Sequence, residues 1–277
     1  MTVVVIIPAR DEAAALPHVL AAIPRCADHV IVADNGSTDG TAAVARACGA
    51  VVVTEPRAGY GRACCAGIAQ AGRLGADILV FLDGDHSDYP EQMARLIDPI
   101  RAGDADMVIG SRVRGRRMAG ALTPQQRWGN ALACWLIARI WRVRYTDLGP
   151  FRAIRADALR RLAMREMTYG WTVEMQIRAA QHGLRSLEVP VDYRVRIGRS
   201  KVSGTLRGVV LASWHILAMI ARAALTAPPP APAPASAPDP RAGPDRAAPA
   251  ASPGPHPAAP ADPAFPPAPA PSPTPCR

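Results

Sequence analysis

Between residues 3 and 110 the chain alternates short apolar runs with longer segments of helical period. The runs at 3–7, 29–33, 50–54, 78–82 and 107–110 are mostly aliphatic, with Val and Ile prominent, and predict strands. Segments 13–23, 61–71 and 90–101, and one that ends near 47, repeat apolar residues at helical spacing and predict helices. Strands with no polar face are buried on both sides. The alternation therefore predicts an α/β fold with a mostly parallel sheet flanked by helices. Such sheets bind ligands beyond the carboxyl ends of their strands.

The second half is less regular. Residues 112–144 contain eight Arg and no acidic residue, and 128–141, with Trp128, Trp135 and Trp141, reads as an amphipathic helix. A final helix is predicted over 206–225, carrying Trp214. From 227 to 277 nearly every other residue is Pro or Ala, and 20 of the 29 prolines fall there. Proline removes backbone donors and alanine offers little to bury, so this stretch is expected to be a disordered, partly polyproline-II tail after a domain of residues 1–226. Its three Arg and three Asp cancel, which leaves the whole formal charge of +9 on residues 1–226.

Several classes drop out. The six cysteines form no CxxC pair, which argues against a structural zinc site or a disulfide framework and suits a reducing cytoplasm. The first residues lack a basic segment before their apolar run and read as a buried strand, not a signal peptide. The apolar stretch 208–221 is shorter than the roughly 20 residues a membrane-spanning helix needs. Basic charge attracts nucleic acid without specificity, but no reading element accompanies it, so no nucleic-acid partner is expected. Gly59-Tyr-Gly61 lacks the third glycine of a dinucleotide fingerprint, having Cys64 there. Of 32 basic residues 31 are Arg, and the single Lys is Lys201.

The chemistry gathers at strand ends. Pro8-Ala-Arg-Asp-Glu12 follows the first strand, Asp34-Asn-Gly-Ser-Thr-Asp39 the second and Asp83-Gly-Asp85 the fourth. Turn preference explains any one of these, but their coincidence points to a shared polar crevice. Two carboxylates flanking a small residue suit a hard divalent cation, which prefers oxygen ligands and keeps positions open for phosphate. Such an ion would neutralise charge on a departing diphosphate. The segment Arg196-Ile-Gly-Arg-Ser-Lys-Val-Ser-Gly-Thr205 brings Arg199 and Lys201 on a Gly-bearing loop, fit to cover phosphates and exclude water.

These blocks resemble a family. Ile7-Pro-Ala-Arg-Asp-Glu12, Val32-Ala-Asp-Asn-Gly-Ser-Thr-Asp-Gly-Thr41, Gly59-Tyr-Gly-Arg-Ala63, Phe81-Leu-Asp-Gly-Asp85, Gly110-Ser-Arg112, Asp147-Leu-Gly-Pro-Phe-Arg152 and the 196–205 loop occur in the order found in family 2 glycosyltransferases of GT-A fold. The likeness is to the branch of dolichyl- and polyprenyl-phosphate sugar synthases. It implies an inverting enzyme that uses a nucleotide-diphosphate sugar (a UDP- or GDP-hexose) and Mg²⁺ or Mn²⁺. By that likeness Pro8, Ala9, Glu12, Asp34 and Asn35 contact base and ribose, Asp83 and Asp85 bind the metal, and Asp83, Arg112, Arg199 and Lys201 serve the donor. Family members often carry Asp at the place of Asn35 and Gln at that of Ser87, which would leave a two-carboxylate site completed by water.

The acceptor stays open between two chemistries. A soluble sugar hydroxyl would require a carboxylate base, with Asp147 as the first candidate and Glu174 as the second. A phosphate monoester is already anionic and requires none. The Arg- and Trp-bearing second half favours a polyprenyl phosphate, or another phosphorylated acceptor, met at an anionic membrane surface. The implied location is cytoplasmic, peripheral on the inner face of the plasma membrane.

Overall fold

The computed structural model describes residues 1–198 and 206–226, so the expected tail and residues 199–205 lie outside the described residues. The five expected strands form as β1 (Val3–Ala9), β2 (His29–Asp34), β3 (Val51–Thr54), β4 (Ile78–Phe81) and β5 (Met107–Ser111). Two further strands, β6 (Arg152–Arg155) and β7 (Ser186–Pro190), complete one sheet of order β3-β2-β1-β4-β6-β5-β7. β6 runs antiparallel to β4 and β5, whereas the other neighbours are parallel. The expected mostly parallel α/β architecture is what forms.

Side chains on β1 alternate between two cores. Val4 and Ile6 enter one, with α3 (Tyr60–Arg73), α5 (Pro124–Trp141) and α7 (Trp171–Gln181). Val3, Val5 and Ile7 enter the other, with α1 (Leu16–Ala21) and α4 (Ala94–Arg101). The period of two in a strand, with both faces covered, is why β1 reads as continuously apolar. The remaining helices are α2 (Thr41–Ala47), α6 (Ala156–Leu162) and α8 (Leu206–Leu225).

Boundaries differ where local chemistry overrides periodicity. Residues 13–15 form a turn, with the Ala15 and Leu16 amides both bonded to the Glu12 carbonyl, so α1 starts later than its apolar pattern. α5 starts earlier than expected, at Pro124, behind a reciprocal capping box between Thr123 and Gln126.

The antiparallel strand decides what meets at the ligand edge. Phe81 at the end of β4 pairs with Arg152 at the start of β6, and Ile109 of β5 pairs with the same residue. The loop before β6, with Asp147, therefore opens at the edge where β1, β2, β4 and β5 end. Gly67 lets α3 approach the sheet closely, because a Cβ there would lie 2.4 Å from Ile6 Cγ2. Overpacking of this kind costs about 1–3 kcal/mol, more than the gain of about 0.8–1 kcal/mol in helix propensity. Gly67→Ala is expected to lower the urea midpoint, a loss that equilibrium denaturation would read directly.

Candidate active site

The turn after β4 carries three carboxyl groups. Asp83 is half-buried, whereas Asp85 and Asp88 are only 4% and 1% exposed. Gly84 lets the turn rest on β1, since a Cβ there would lie 3.3 Å from Ile7 Cγ2 and 3.5 Å from Ala9 Cβ. Ser87 donates its amide (3.0 Å) and its hydroxyl to Asp85 Oδ1. The Asp83 amide donates to Asp88 Oδ2 (3.3 Å), and Tyr60 donates its hydroxyl to Asp83 Oδ1 (3.1 Å). Asp88 Oδ1 is buried with no hydrogen-bond partner among the described residues.

Burial, and then the neighbouring Asp85 charge, push the Asp83 carboxyl up to about 7. Burial and then Asp83 and Asp85 push Asp88 up to about 8. Positive charge comes from the irregular segment after β7. Arg196 Nη1 lies 2.9 Å from Asp85 Oδ2. Arg194 donates to the His86 and Asp88 carbonyls at 2.6 and 2.9 Å. The Arg194 and Ile197 amides bond the Ser87 and Asp85 carbonyls at 3.0 and 2.9 Å.

The donor-side candidates converge beside this turn. Pro8 and Ala9 pair in register with Ala33 and Asp34. Asp34 Oδ1 accepts from the Ser37 amide (3.3 Å), leaving Oδ2 without a partner among the described residues. The Glu12 amide donates to Thr41 Oγ1 (2.9 Å), tying the loop after β1 to the start of α2. Asn35 differs from expectation. Its amide nitrogen donates to the Glu55 and Arg57 carbonyls (2.9 and 2.8 Å), and its Oδ1 accepts from the Gly59 amide (2.8 Å). Both amide hydrogens are spent on fixing the 55–59 loop, work that an Asp could not do. The Asn35 side chain thus holds the loop and has no amide hydrogen left for a base. Arg199 and Lys201 lie outside the described residues.

The two candidate bases are committed elsewhere. Asp147 is fully buried against Arg112, which donates its amide, Nε and Nη2 at 2.7, 2.8 and 2.7 Å. Burial alone would raise the Asp147 carboxyl, but the Arg112 charge and bonds outweigh it and hold it below the usual carboxylate range. The same pair takes up the planar fork of Arg112, which also lies 5.0 Å over the Tyr193 ring. Glu174 accepts from the Arg165 and Glu166 amides and from Arg178 Nε (2.7 Å). It fixes the 163–170 loop, whose Thr168 and Met167 carbonyls accept from the Gly61 and Arg62 amides. A carboxylate so engaged has its oxygens taken up by the protein's own donors. Glu174 acts instead on the position of Tyr60, through the loop that receives Gly59 and Gly61.

Asp88, Tyr60, Arg152 and Arg196 are the members that sequence reasoning missed. Asp88 stood in plain view, three residues after Asp85. Arg152 is fully buried in the sheet, where burial lowers its guanidinium to about 10. It donates to the Leu148, Gly149 and Thr172 carbonyls and so shapes the 147–151 loop.

Beside Arg112 opens a cleft of about 1030 Å³ between α5, the 112–122 segment and α8. Leu122, Trp128, Leu132, Leu148, Val173 and Ile216 are among its apolar walls, and Arg112, Arg117 and Arg127 border it. The outer rim of this cleft continues along α5 as a solvent-exposed apolar stripe: Trp128 is 79% and Trp135 58% exposed, with Leu132 between them.

Hard oxygen donors crowd the turn, and one buried carboxylate oxygen lacks a partner among the described residues, so the residues fit a divalent cation. Among the described residues, however, no three His, Cys, Asp or Glu side chains already converge in a metal-ligating cluster. In the metal-free protein Asp83 and Asp88 hold protons that the unfolded chain releases above its usual carboxylate value of 3.8. The folded state thus binds more protons between about pH 4 and about pH 8, and this contribution to stability declines as pH rises through that window. Urea midpoints measured with a chelator from about pH 5 to about pH 8 should show the decline, and Asp88→Asn should flatten it.

The family described as Glycosyl transferase family 2 matches residues 4–163. An uncharacterized glycosyltransferase of Mycobacterium tuberculosis is 39% identical over 212 residues, spanning 76% of this chain and 94% of that protein. An undecaprenyl-phosphate mannosyltransferase of Micrococcus luteus is 35% identical over 226 residues, spanning 75% and 90%. The crystal structure of glucosyl-3-phosphoglycerate synthase from Mycobacterium tuberculosis shares the fold, with a TM-score of 0.64, 24% identity and 80% of each chain covered. With these likenesses added to the ordered sequence blocks and the acidic strand ends, the chain belongs to glycosyltransferase family 2 and is a glycosyltransferase.

Proposed function

We propose that this glycosyltransferase moves a hexose from a nucleotide-diphosphate sugar onto a polyprenyl phosphate at a membrane surface, with inversion at the anomeric carbon. The observation that carries this reading is the cleft beside Arg112. Its walls are apolar along α5 and α8, and guanidinium groups border it. That is the chemistry of a lipid with a phosphate head. Arg117 and Arg127 form no ion pair among the described residues, so both remain free to bind phosphate oxygens. The Micrococcus luteus relative, named for undecaprenyl phosphate, supports the same acceptor class.

On the donor side Asp34 offers an unpartnered carboxylate oxygen to ribose or base, beside the ends of Pro8 and Ala9 and near Glu12. Asp83 and Asp85 would hold Mg²⁺ or Mn²⁺, which when bound neutralises charge on the diphosphate. Arg199 and Lys201 would cover the same phosphates. An oxygen of the acceptor phosphate attacks C1 from the face opposite the diphosphate. The new C1–O bond forms as the old one breaks, and its electron pair leaves on the nucleoside diphosphate. The nucleophile is anionic, so no base need take a proton. This agrees with the full engagement of Asp147 and Glu174.

The membrane reading is supported by the exposed Trp128, Leu132 and Trp135 stripe, with Arg127 and Arg139 beside it and Arg142 and Arg144 just beyond α5. Trp214 on α8 is exposed as well. Indoles settle at the interface while Arg meets lipid phosphate. Among the described residues no helix is long and apolar enough to cross a bilayer.

The test is incubation of the full chain with radiolabelled UDP- and GDP-hexoses, polyprenyl phosphate and Mg²⁺ or Mn²⁺, followed by solvent partitioning. Label is expected in the organic phase. Transfer only to soluble hydroxyls or soluble phosphorylated acids would overturn the acceptor assignment. Arg117→Gln removes a charge-assisted contact of about 1.5–3 kcal/mol. It should raise the acceptor KM by roughly ten- to a hundredfold and leave the donor KM near that of the parent enzyme.

A further inference from the structure

We infer that Arg196 is the resident counter-ion of Asp85: it holds that carboxylate until a divalent ion arrives with the donor, and then turns its guanidinium onto the diphosphate. This rests on the donor reading above.

The guanidinium groups around the acidic turn differ in their commitments. Arg112 is bound through its fork to Asp147. Arg194 is bound to the His86 and Asp88 carbonyls and lies 4.2 Å over the Tyr89 ring. Among the described residues, Arg196 has one side-chain contact with an acid, the 2.9 Å pair with Asp85 Oδ2. The other oxygen of Asp85 is occupied by the amide and hydroxyl of Ser87. Oδ2 is thus the position that both Arg196 and an incoming ion must use. A divalent ion sits about 2.1 Å from a carboxylate oxygen. A guanidinium on the same oxygen would be pressed against it in a setting that Asp85 burial keeps nearly free of water, where like charges repel strongly.

Arg196 is also placed to make the exchange productive. Its backbone neighbours stay tied to the turn, because the Arg194 amide bonds the Ser87 carbonyl and the Ile197 amide bonds the Asp85 carbonyl. Its side chain remains partly exposed, 28% against 5% for Asp85. A side chain displaced from Asp85 therefore stays within reach of whatever the ion brings. An Arg fork suits the paired oxygens of a diphosphate. The residue would thus weaken binding of the bare ion and strengthen binding of the ion with its nucleotide, so that metal and donor enter together.

Calorimetry on the full chain separates these effects, with MnCl2 alone and then UDP or GDP at saturating Mn²⁺. Arg196→Gln is expected to bind Mn²⁺ alone on the order of tenfold more tightly and the nucleotide in the presence of Mn²⁺ correspondingly more weakly. Arg196→Lys, which keeps the charge, should stay near the parent in Mn²⁺ affinity. Equal Mn²⁺ affinities for Arg, Lys and Gln at this position, with unchanged circular dichroism, would overturn the inference. The Asp85→Ala control tests the underlying reading separately: if it binds Mn²⁺ as the parent does, the metal assignment itself fails.

Discussion

Asp83, Asp85 and Asp88 bring three carboxyl groups into one short turn after β4, and two of them are almost wholly removed from water. Like charges at such range and burial do not all ionise unless cations or protons accompany them. The surroundings answer that demand. Arg196 pairs with Asp85, Tyr60 and Ser87 donate hydrogen bonds, and Asp83 and Asp88 retain protons at higher pH than ordinary carboxyls do. A site arranged in this way is poised for positive charge, and the segment after β7 is bonded to it through the Arg194 and Ile197 amides. The acidic turn and the basic segment are therefore one unit, although more than a hundred residues separate them in the chain.

The antiparallel insertion of β6 makes the second half of the site. Had this strand run parallel, the loop before it would open at the opposite edge of the sheet, away from Asp83. Instead Arg152, buried between β4 and β5, directs its donors to the carbonyls of Leu148 and Gly149 and turns the Asp147 loop toward Arg112. The Arg112–Asp147 pair stands between the acidic turn and the apolar cleft. Arg112 lowers the proton affinity of both Asp83 and Asp88 while lining the cleft that we assign to the acceptor.

The first five strands were legible because buried parallel strands are written as uninterrupted Val, Ile and Leu, and their polar ends then located the crevice. β6 was not legible, because its sequence, Arg-Ala-Ile-Arg, places a charged residue at a core position that only tertiary carbonyls make tolerable. Asn35 and Glu174 look like site residues in sequence because they sit in the right blocks. Their partners, the 55–59 loop carbonyls and the 165–166 amides, become visible only in three dimensions. Arg196 was hidden for the same reason: its block pointed to Arg199 and Lys201, and nothing local showed that an earlier arginine reaches Asp85. Residue type and order sufficed to show that the acidic strand ends share one edge of the sheet. They did not reveal which polar groups were already committed to holding loops.

The tryptophans divide unevenly. Trp171 is fully buried against Phe81 and Tyr60, whereas Trp128, Trp135 and Trp214 stand largely in solvent. The native chain therefore carries its own optical reporter. Denaturation would bring the Trp171 indole into water and shift emission to longer wavelength. Contact of α5 with an oily surface would withdraw the outer indoles and shift emission the other way.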